Sequence, residues 1–264
     1  MSAPLVSLGL ASELLVMSGA SEVETYPDRI VLRTPSEPTY WFGNCVIFRS
    51  DRVDPEPQIA QFRADFPDAA HVVLQWDAPT MKLGPGHARL AEMGFEVEAD
   101  DVLTRDTTPE AGAVPEGFLL REIVSDDDWT QVVALQAATG EAAGQGGPGH
   151  ADYIARRYAT ARRQVAEGLG ARFGAFDGAT LAADLGIFHD ARTARYQNVA
   201  TAPAYRRRGL CAALVRHAGR WARQRAPEAV LVIVAEPDGD AGRVYRRCGF
   251  APSERLVSAH KPGY

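Results

Sequence analysis

The chain has 264 residues, 46% of them hydrophobic and 23% charged, with a formal net charge of −6. That balance excludes disordered and fibrous classes, and the length gives room for two cores of about 100–150 residues each. No run approaches the ~20 apolar residues of a membrane span, and the acidic balance argues against a nucleic-acid partner.

The first nineteen residues lack a basic region, and Glu13 interrupts their apolar stretch, so they read as a helix rather than a signal peptide. DRIVLRTP (28–35) and WFGNCVIFRS (41–50) suggest a strand pair. A helix over 57–67, a strand over 71–78, and a helix followed by a strand over 86–105 complete the first half. The stretch 105–117 is rich in Pro, Gly, Thr and Glu without apolar periodicity and reads as a linker. The expected division is therefore 1–106, a linker at 107–116, and 117–264.

The second half opens with a strand over 118–124. A helix over 125–140 follows, with Ser125 as its N-cap, Asp126 to Asp128 in its first turn and Gly140 as its stop. A glycine-rich mobile loop (141–149) leads into a second helix over 151–168. ARFGAFDG and TLAADLGIF form a hairpin turning at Asp177-Gly178, and 194–201 is a further strand. Leu210, Leu214, Ala218 and Trp221 recur at helical spacing up to Arg225. AVLVIVA (229–235) is a continuous apolar run expected of a central strand covered on both faces. A short helix from Asp240 to Cys248, closed by Gly249, precedes a last strand. The order is mixed α/β. GHARLAEMGF (86–95) and AGRVYRRCGF (241–250) form a weak internal repeat 155 residues apart, which suggests two related domains in tandem.

Cys45, Cys211 and Cys248 lie far apart without a CxxC pair, so neither a disulfide framework nor a structural zinc site is expected, and a reducing cytoplasm fits. The six histidines show no HxH or HExxH spacing, so no metal is predicted. Between Arg206 and Arg225 there are seven arginines and no Asp or Glu, a local basic zone in an acidic chain. Arg206, Arg207 and Arg208 stand at a helix start, where each cation is unfavourable by about 0.3–1 kcal/mol. A strand, a Gly-containing turn and a helix N-terminus together form an anion site, and a phosphate guest would reverse that penalty. The bland alternative is a solvated surface turn. The loop is neither a Walker P-loop nor a Rossmann fingerprint.

VATAPAYRRRGLCAALV resembles the acyl-CoA motif of the GNAT family of N-acetyltransferases, in which an Arg or Gln is followed three residues on by Gly and two further on by Gly or Ala. Here the positions are Arg206, Gly209 and Cys211; the cysteine departs from the pattern but is small. EPDGDAGRVYRRCGF resembles the second family signature, with Asp238 in the place of Asn, then Tyr245 and Gly249-Phe250. The resemblance covers about 117–264. It implies two GNAT-like domains, each a mostly antiparallel twisted sheet flanked by helices, with the C-terminal one active. It implies that Val199, Ala200 and Thr201 bind pantetheine by main chain and that backbone amides of Arg207, Arg208, Gly209, Leu210, Cys211 and Ala212 hold the pyrophosphate. It also implies that the Arg206 to Arg208 side chains reach phosphates, that Asp238 lies near the cofactor, and that Tyr245 reprotonates the departing CoA thiolate. A phenol suits that role. The alternatives are that Tyr245 is an ordinary half-buried helix aromatic, that Asp238 caps the last helix, and that Cys211 is an activated thiol, though filling space fits it better because direct transfer needs no cysteine.

The strand before the arginines carries Gln197 and Asn198 and no carboxylate, so the base must come from elsewhere. Glu236 ranks first, ahead of Glu141 and His189. The first half has no Arg-x-x-Gly loop, and Leu90 stands where the repeat places Tyr245. It is expected to be a degenerate GNAT-like domain. The resulting expectation is an acetyl-CoA-dependent N-acetyltransferase acting by direct attack in a ternary complex on a primary amine, in a small molecule or at a peptide N-terminus. No nucleic acid or membrane partner is expected, and a homodimer is left open. The alternative is a catalytically inactive acyl-CoA-binding sensor.

Overall fold

A computed structural model describes residues 4–144, 147 and 149–262. Gln145, Gly146 and Pro148 of the glycine-rich loop lie outside the described residues. The chain divides into two compact units. One contains Met1–Leu103, Val234–Gly242 and Pro252–Tyr264; the other contains Thr104–Ile233 and Arg243–Ala251.

The first unit begins with α1 (Leu8–Val16), then β1 (Glu22–Thr25), β2 (Arg29–Arg33), β3 (Cys45–Phe48), α2 (Pro55–Asp65), β4 (His71–Trp76), α3 (Pro85–Glu92) and β5 (Glu96–Arg105). The terminal strand β11 (Ala251–Pro262) joins this unit, and the strand order is β1-β2-β3-β4-β11-β5. β3 and β4 run parallel because α2 makes the crossover between them. Every residue of both strands is buried, as expected for the apolar run of β3, and in β4 the burial extends to His71 and Gln75. Ile59 and Phe62 of α2 pack with Val46, Leu74, Trp76, Leu90 and Phe95. β11 is antiparallel to β4, with Ala259 opposite Leu74 and His260 opposite Val73. Its Val257 and Ala259 complete the same core. Glu254 accepts bonds from the Leu8 and Gly9 amides and from Ser7 Oγ, a carboxylate placed at the positive end of α1. β1 has no counterpart among the strands expected from the sequence.

The second unit contains β6 (Phe118–Glu122), α4 (Asp126–Ala142), α5 (His150–Ala166), β7 (Gly170–Asp177), β8 (Thr180–His189), β9 (Thr193–Thr201), α6 (Leu210–Arg225) and the greater part of β10 (Val230–Ala235) and of α7 (Asp240–Arg247), in chain order. The strand order is β10-β9-β8-β7-β6. β6 to β9 form antiparallel pairs, whereas β9 and β10, joined by α6, are parallel. Trp129, Val132 and Leu135 of α4 and Ile154 and Tyr158 of α5 pack on Phe176 and Leu181.

Ser125 caps α4, accepting from the Asp128 amide, and Asp128 takes a two-pronged bond from Arg121 at 2.7 Å per contact. Gly140 does not end α4, which runs to Ala142. Glycine costs only about 1 kcal/mol inside a helix, and Gly144, at φ +79°, makes the left-handed exit instead. The hairpin turns on Gly178 and Ala179, one residue later than expected, because Asp177 pairs with Thr180. Residues 106–117 form neither helix nor strand. They nevertheless pack on α6, where a Cβ at Gly219 would stand 2.8 Å from Pro109.

Candidate functional site

The site grows out of an irregularity in β9. Gly186 of β8 pairs with Gln197 and Asp184 pairs with Ala200, so β9 holds one extra residue over that span. Asn198 carries the resulting bulge at φ +49°, a left-handed backbone that asparagine tolerates. On its other edge β9 pairs with β10 only from Thr193 to Arg195. Val199, Ala200 and Thr201 therefore lie beyond that ladder, while Ala200 and Thr201 remain paired to β8. The buried Tyr196 hydroxyl donates to the Val215 carbonyl at 2.9 Å and fixes α6 against β9. Gly219 makes room for it, since a Cβ there would lie 2.3 Å from that oxygen.

Beyond Thr201 a 3-10 turn over Pro203–Tyr205 leads into the arginines. Arg206, Arg207, Arg208 and Gly209 are all exposed. Arg206 Nε donates to the Thr201 carbonyl at 3.3 Å, and the Arg208 guanidinium lies 5.6 Å from the ring centres of both Phe118 and Tyr205. Arg207 at φ +62° and Gly209 at φ +83° flank Arg208, so backbone hand alternates immediately before the helix. Such alternation turns successive amides toward one side, and α6 adds a first turn without a side-chain cap. The amides of Leu210, Cys211 and Ala212 form that turn. A side chain at Gly209 would meet nothing closer than Pro115 at 3.7 Å, so its absence leaves the approach open. An uncapped helix start preceded by three exposed arginines suits a phosphate-bearing ligand.

Tyr245 sits on α7, 5% exposed. The Phe250 amide bonds the Tyr245 carbonyl at 3.2 Å and the Gly249 amide bonds the Arg246 carbonyl at 3.0 Å, a Schellman closure with Gly249 at φ +85°. The repeat in the first unit has the same two bonds, Phe95 to Leu90 at 3.0 Å and Gly94 to Ala91 at 2.9 Å, with Gly94 at φ +84°. Leu90, fully buried, stands where Tyr245 stands. Burial holds the Tyr245 phenol above the ordinary tyrosine range, with the neighbouring Cys211 and Cys248 adding to it, so the hydroxyl keeps its proton. Burial likewise pushes the Cys211 thiol up to about 12, with Cys248 contributing. A thiol so held is not an activated nucleophile.

Glu236 and Asp238 are both exposed in the segment after β10, with Asp238 at φ +60°. Glu141 is exposed at the end of α4. His189 pairs with Ala194, at the opposite end of β9 from Thr201, roughly 23 Å away at strand rise. It is removed from the phosphate loop. In the first unit Asp100 has its carboxyl pushed up to about 6 by burial, with the Glu98 and Glu236 carboxylates reinforcing the shift. There too His260 Nε2 lies 3.3 Å from Glu96, and its Nδ1 lies 3.9 Å from Glu98. Spacing rules could not see this cluster, because it is built across two strands.

Sequence reading also missed a buried polar network beneath the bulge. Arg172 of β7 pairs with Asp184 of β8, each almost wholly buried. Gln136 of α4 donates at 2.8 Å both to Asp184 and to the Asn198 carbonyl, and Arg172 reaches the same carbonyl at 3.2 Å. The Asn198 side chain donates to the Tyr158 hydroxyl at 3.0 Å. The available signal was one cation and one anion within otherwise apolar strands.

Residues 150–250 match the model of the Acetyltransferase (GNAT) family. No curated protein matches the chain. Among solved structures, a GCN5-related N-acetyltransferase from Kribbella flavida aligns over 99% of this chain and 98% of its own at 17% identity, with a TM-score of 0.67. A functionally unknown conserved protein from Staphylococcus epidermidis aligns over 93% and 95% at 12% identity, with a TM-score of 0.68. A tandem GNAT protein from the clavulanic acid biosynthesis pathway aligns over 99% and 90% at 16% identity, with a TM-score of 0.59. At these identities the likeness is one of fold. No helix among the described residues is long and apolar enough to cross a membrane.

Proposed function

We propose that the GNAT segment at 150–250 makes this chain an acetyl-CoA-dependent N-acetyltransferase acting on a primary amine, in a small molecule or at a peptide N-terminus. The observation that carries the proposal is the path from the bulged β9 into the uncapped start of α6, lined by three exposed arginines. Acetyl-CoA supplies an activated acyl group. In this reading the free edge of Val199, Ala200 and Thr201 pairs with the pantetheine amides. The amides from Arg207 to Ala212 and the side chains of Arg206, Arg207 and Arg208 hold the phosphates. Asp238 borders the cofactor. Tyr245, kept neutral by its burial, gives a proton to the departing sulfur. Glu236 takes the amine proton, directly or through water. In the first unit leucine replaces tyrosine at position 90, and we assign that unit a supporting rather than a catalytic role.

Thermal denaturation with acetyl-CoA tests binding. At 100 times its Kd the ligand should stabilise by about 2.7 kcal/mol, and no shift at millimolar concentration would overturn the proposal. Free-CoA release across a panel of small amines and peptides then identifies the acceptor. Binding without turnover on any of them would favour a sensor over an enzyme.

A further inference from the structure

At its bulge β9 gives up regular ladder bonding, because Asn198 and Val199 together face Leu185 alone. The Asn198 carbonyl is nonetheless satisfied twice, by Gln136 at 2.8 Å and by Arg172 at 3.2 Å. Gln136 spends its second proton on Asp184, which Arg172 also binds, and the Asn198 amide and Arg172 share the Tyr158 hydroxyl. Five side chains from α4, α5, β7, β8 and β9 thus close a network around one backbone carbonyl.

Such a network is a poor source of stability. Taking the Arg172 and Asp184 charges out of water offsets most of their attraction, and apolar residues of similar volume often serve the fold as well or better. What sets the network apart is its place, around the carbonyl of a left-handed asparagine inside a strand. The strand residues that follow it, Val199 to Thr201, are those assigned above to pantetheine. We infer that Gln136, Arg172, Asp184, Tyr158 and Asn198 are positioning residues for acyl-CoA, which keep β9 bulged before the ligand arrives. The inference rests on the acetyl-CoA reading of the site. Affinity for a preformed site falls in proportion to the fraction of molecules that hold the binding shape, so loosening the bulge weakens binding without touching a contact residue.

The test separates backbone shape from side-chain contacts. Asn198→Ala and Asn198→Gly both delete the amide and its bond to Tyr158, but only glycine accepts a positive φ without cost. Acetyl-CoA Kd is measured by calorimetry on the full chain, with Tm alongside. Asn198→Ala is expected to raise Kd about 5- to 30-fold, the factor that left-handed strain on an ordinary residue produces. Asn198→Gly is expected to lower Tm yet keep Kd within about threefold of the parent, so that affinity and stability part company. Gln136→Met, which keeps volume and removes both donors, is expected to raise Kd about tenfold and provides the reading if Asn198→Ala does not fold. Equal Kd changes for the two Asn198 variants would overturn the inference. So would Kd values that stay at the parent's while Tm falls in every variant. A parent chain that binds no acetyl-CoA overturns this inference together with the function proposed above; a parent that binds and variants that bind equally well overturn this inference alone.

Discussion

Replacing Tyr245 by phenylalanine removes one oxygen from a side chain that is 5% exposed. No described residue hydrogen-bonds that hydroxyl, so nothing is left unpaired and the ring continues to fill its place. Stability is expected to change by less than about 1 kcal/mol. The proton donor to the leaving sulfur is lost, and a positioned general acid contributes about 10²- to 10⁴-fold. The expected fall in kcat is of that size, about 2.7–5.4 kcal/mol in activation free energy at 1.36 kcal/mol per tenfold. Acetyl-CoA affinity should stay within about twofold, because the phosphate and pantetheine groups assigned above are main-chain amides and arginines. The assay follows free CoA with a thiol-reactive chromophore at saturating acetyl-CoA and the acceptor found in the panel. The phenol is held above the ordinary value near 10, so no loss of kcat from its ionisation should occur below about pH 10. An unchanged kcat removes Tyr245 from the mechanism. A fall in kcat matched by a comparable loss of Tm or acetyl-CoA affinity would show that the hydroxyl supports the fold instead.

Three further changes have worked magnitudes. Gly209→Ala meets no atom within 3.7 Å, so its cost is left-handed strain alone, about 1–2 kcal/mol, or roughly 2–8 °C in Tm; Gly209→Asn should recover most of it, and a loss under about 1 °C for alanine refutes the assignment. Gly219→Ala should destabilise by about 1–3 kcal/mol in thermal melts despite alanine's better helix propensity, since its Cβ would lie 2.3 Å from the Tyr196 hydroxyl oxygen, and a gain in Tm would refute that packing. Asp100 has a carboxyl raised from 3.8 to about 6, so the stability it contributes is present below about pH 4 and is lost as pH rises through 6. Asp100→Asn should therefore stabilise the chain at pH 8, by about 1–2 kcal/mol after allowing for solvent screening, with no gain at pH 4; equal gains at both values in denaturant titrations would refute the sign.

Local features were legible because their causes are local. Ser125 followed by three aspartates starts α4, and the arginine turn before an apolar helical stripe marks the start of α6. Partner choice was not legible. Leu256 to Ala259 announce a strand, but only packing of Val257 and Ala259 into the core around Leu74 and Trp76 places that strand beside β4. Nor could the bulge network be read, since Arg172 and Asp184 are single letters whose meaning depends on Gln136 and Asn198, far away in sequence. Gly140 misled because a helix interior tolerates glycine when packing outweighs its entropy, as the buried Leu135 and Val132 show one and two turns earlier.

The repeat 155 residues apart is closer in structure than in sequence. In letters it is two short helices ending in Gly-Phe. In structure both helices close with the same pair of amide-to-carbonyl bonds and a left-handed glycine, so the side chains at Leu90 and Tyr245 stand at one equivalent, buried position. The first unit shows that this closure works with leucine, so the motif itself does not require tyrosine. The closure therefore does not need the hydroxyl at 245, and the Tyr245→Phe assay decides whether that hydroxyl serves the chemistry proposed for it.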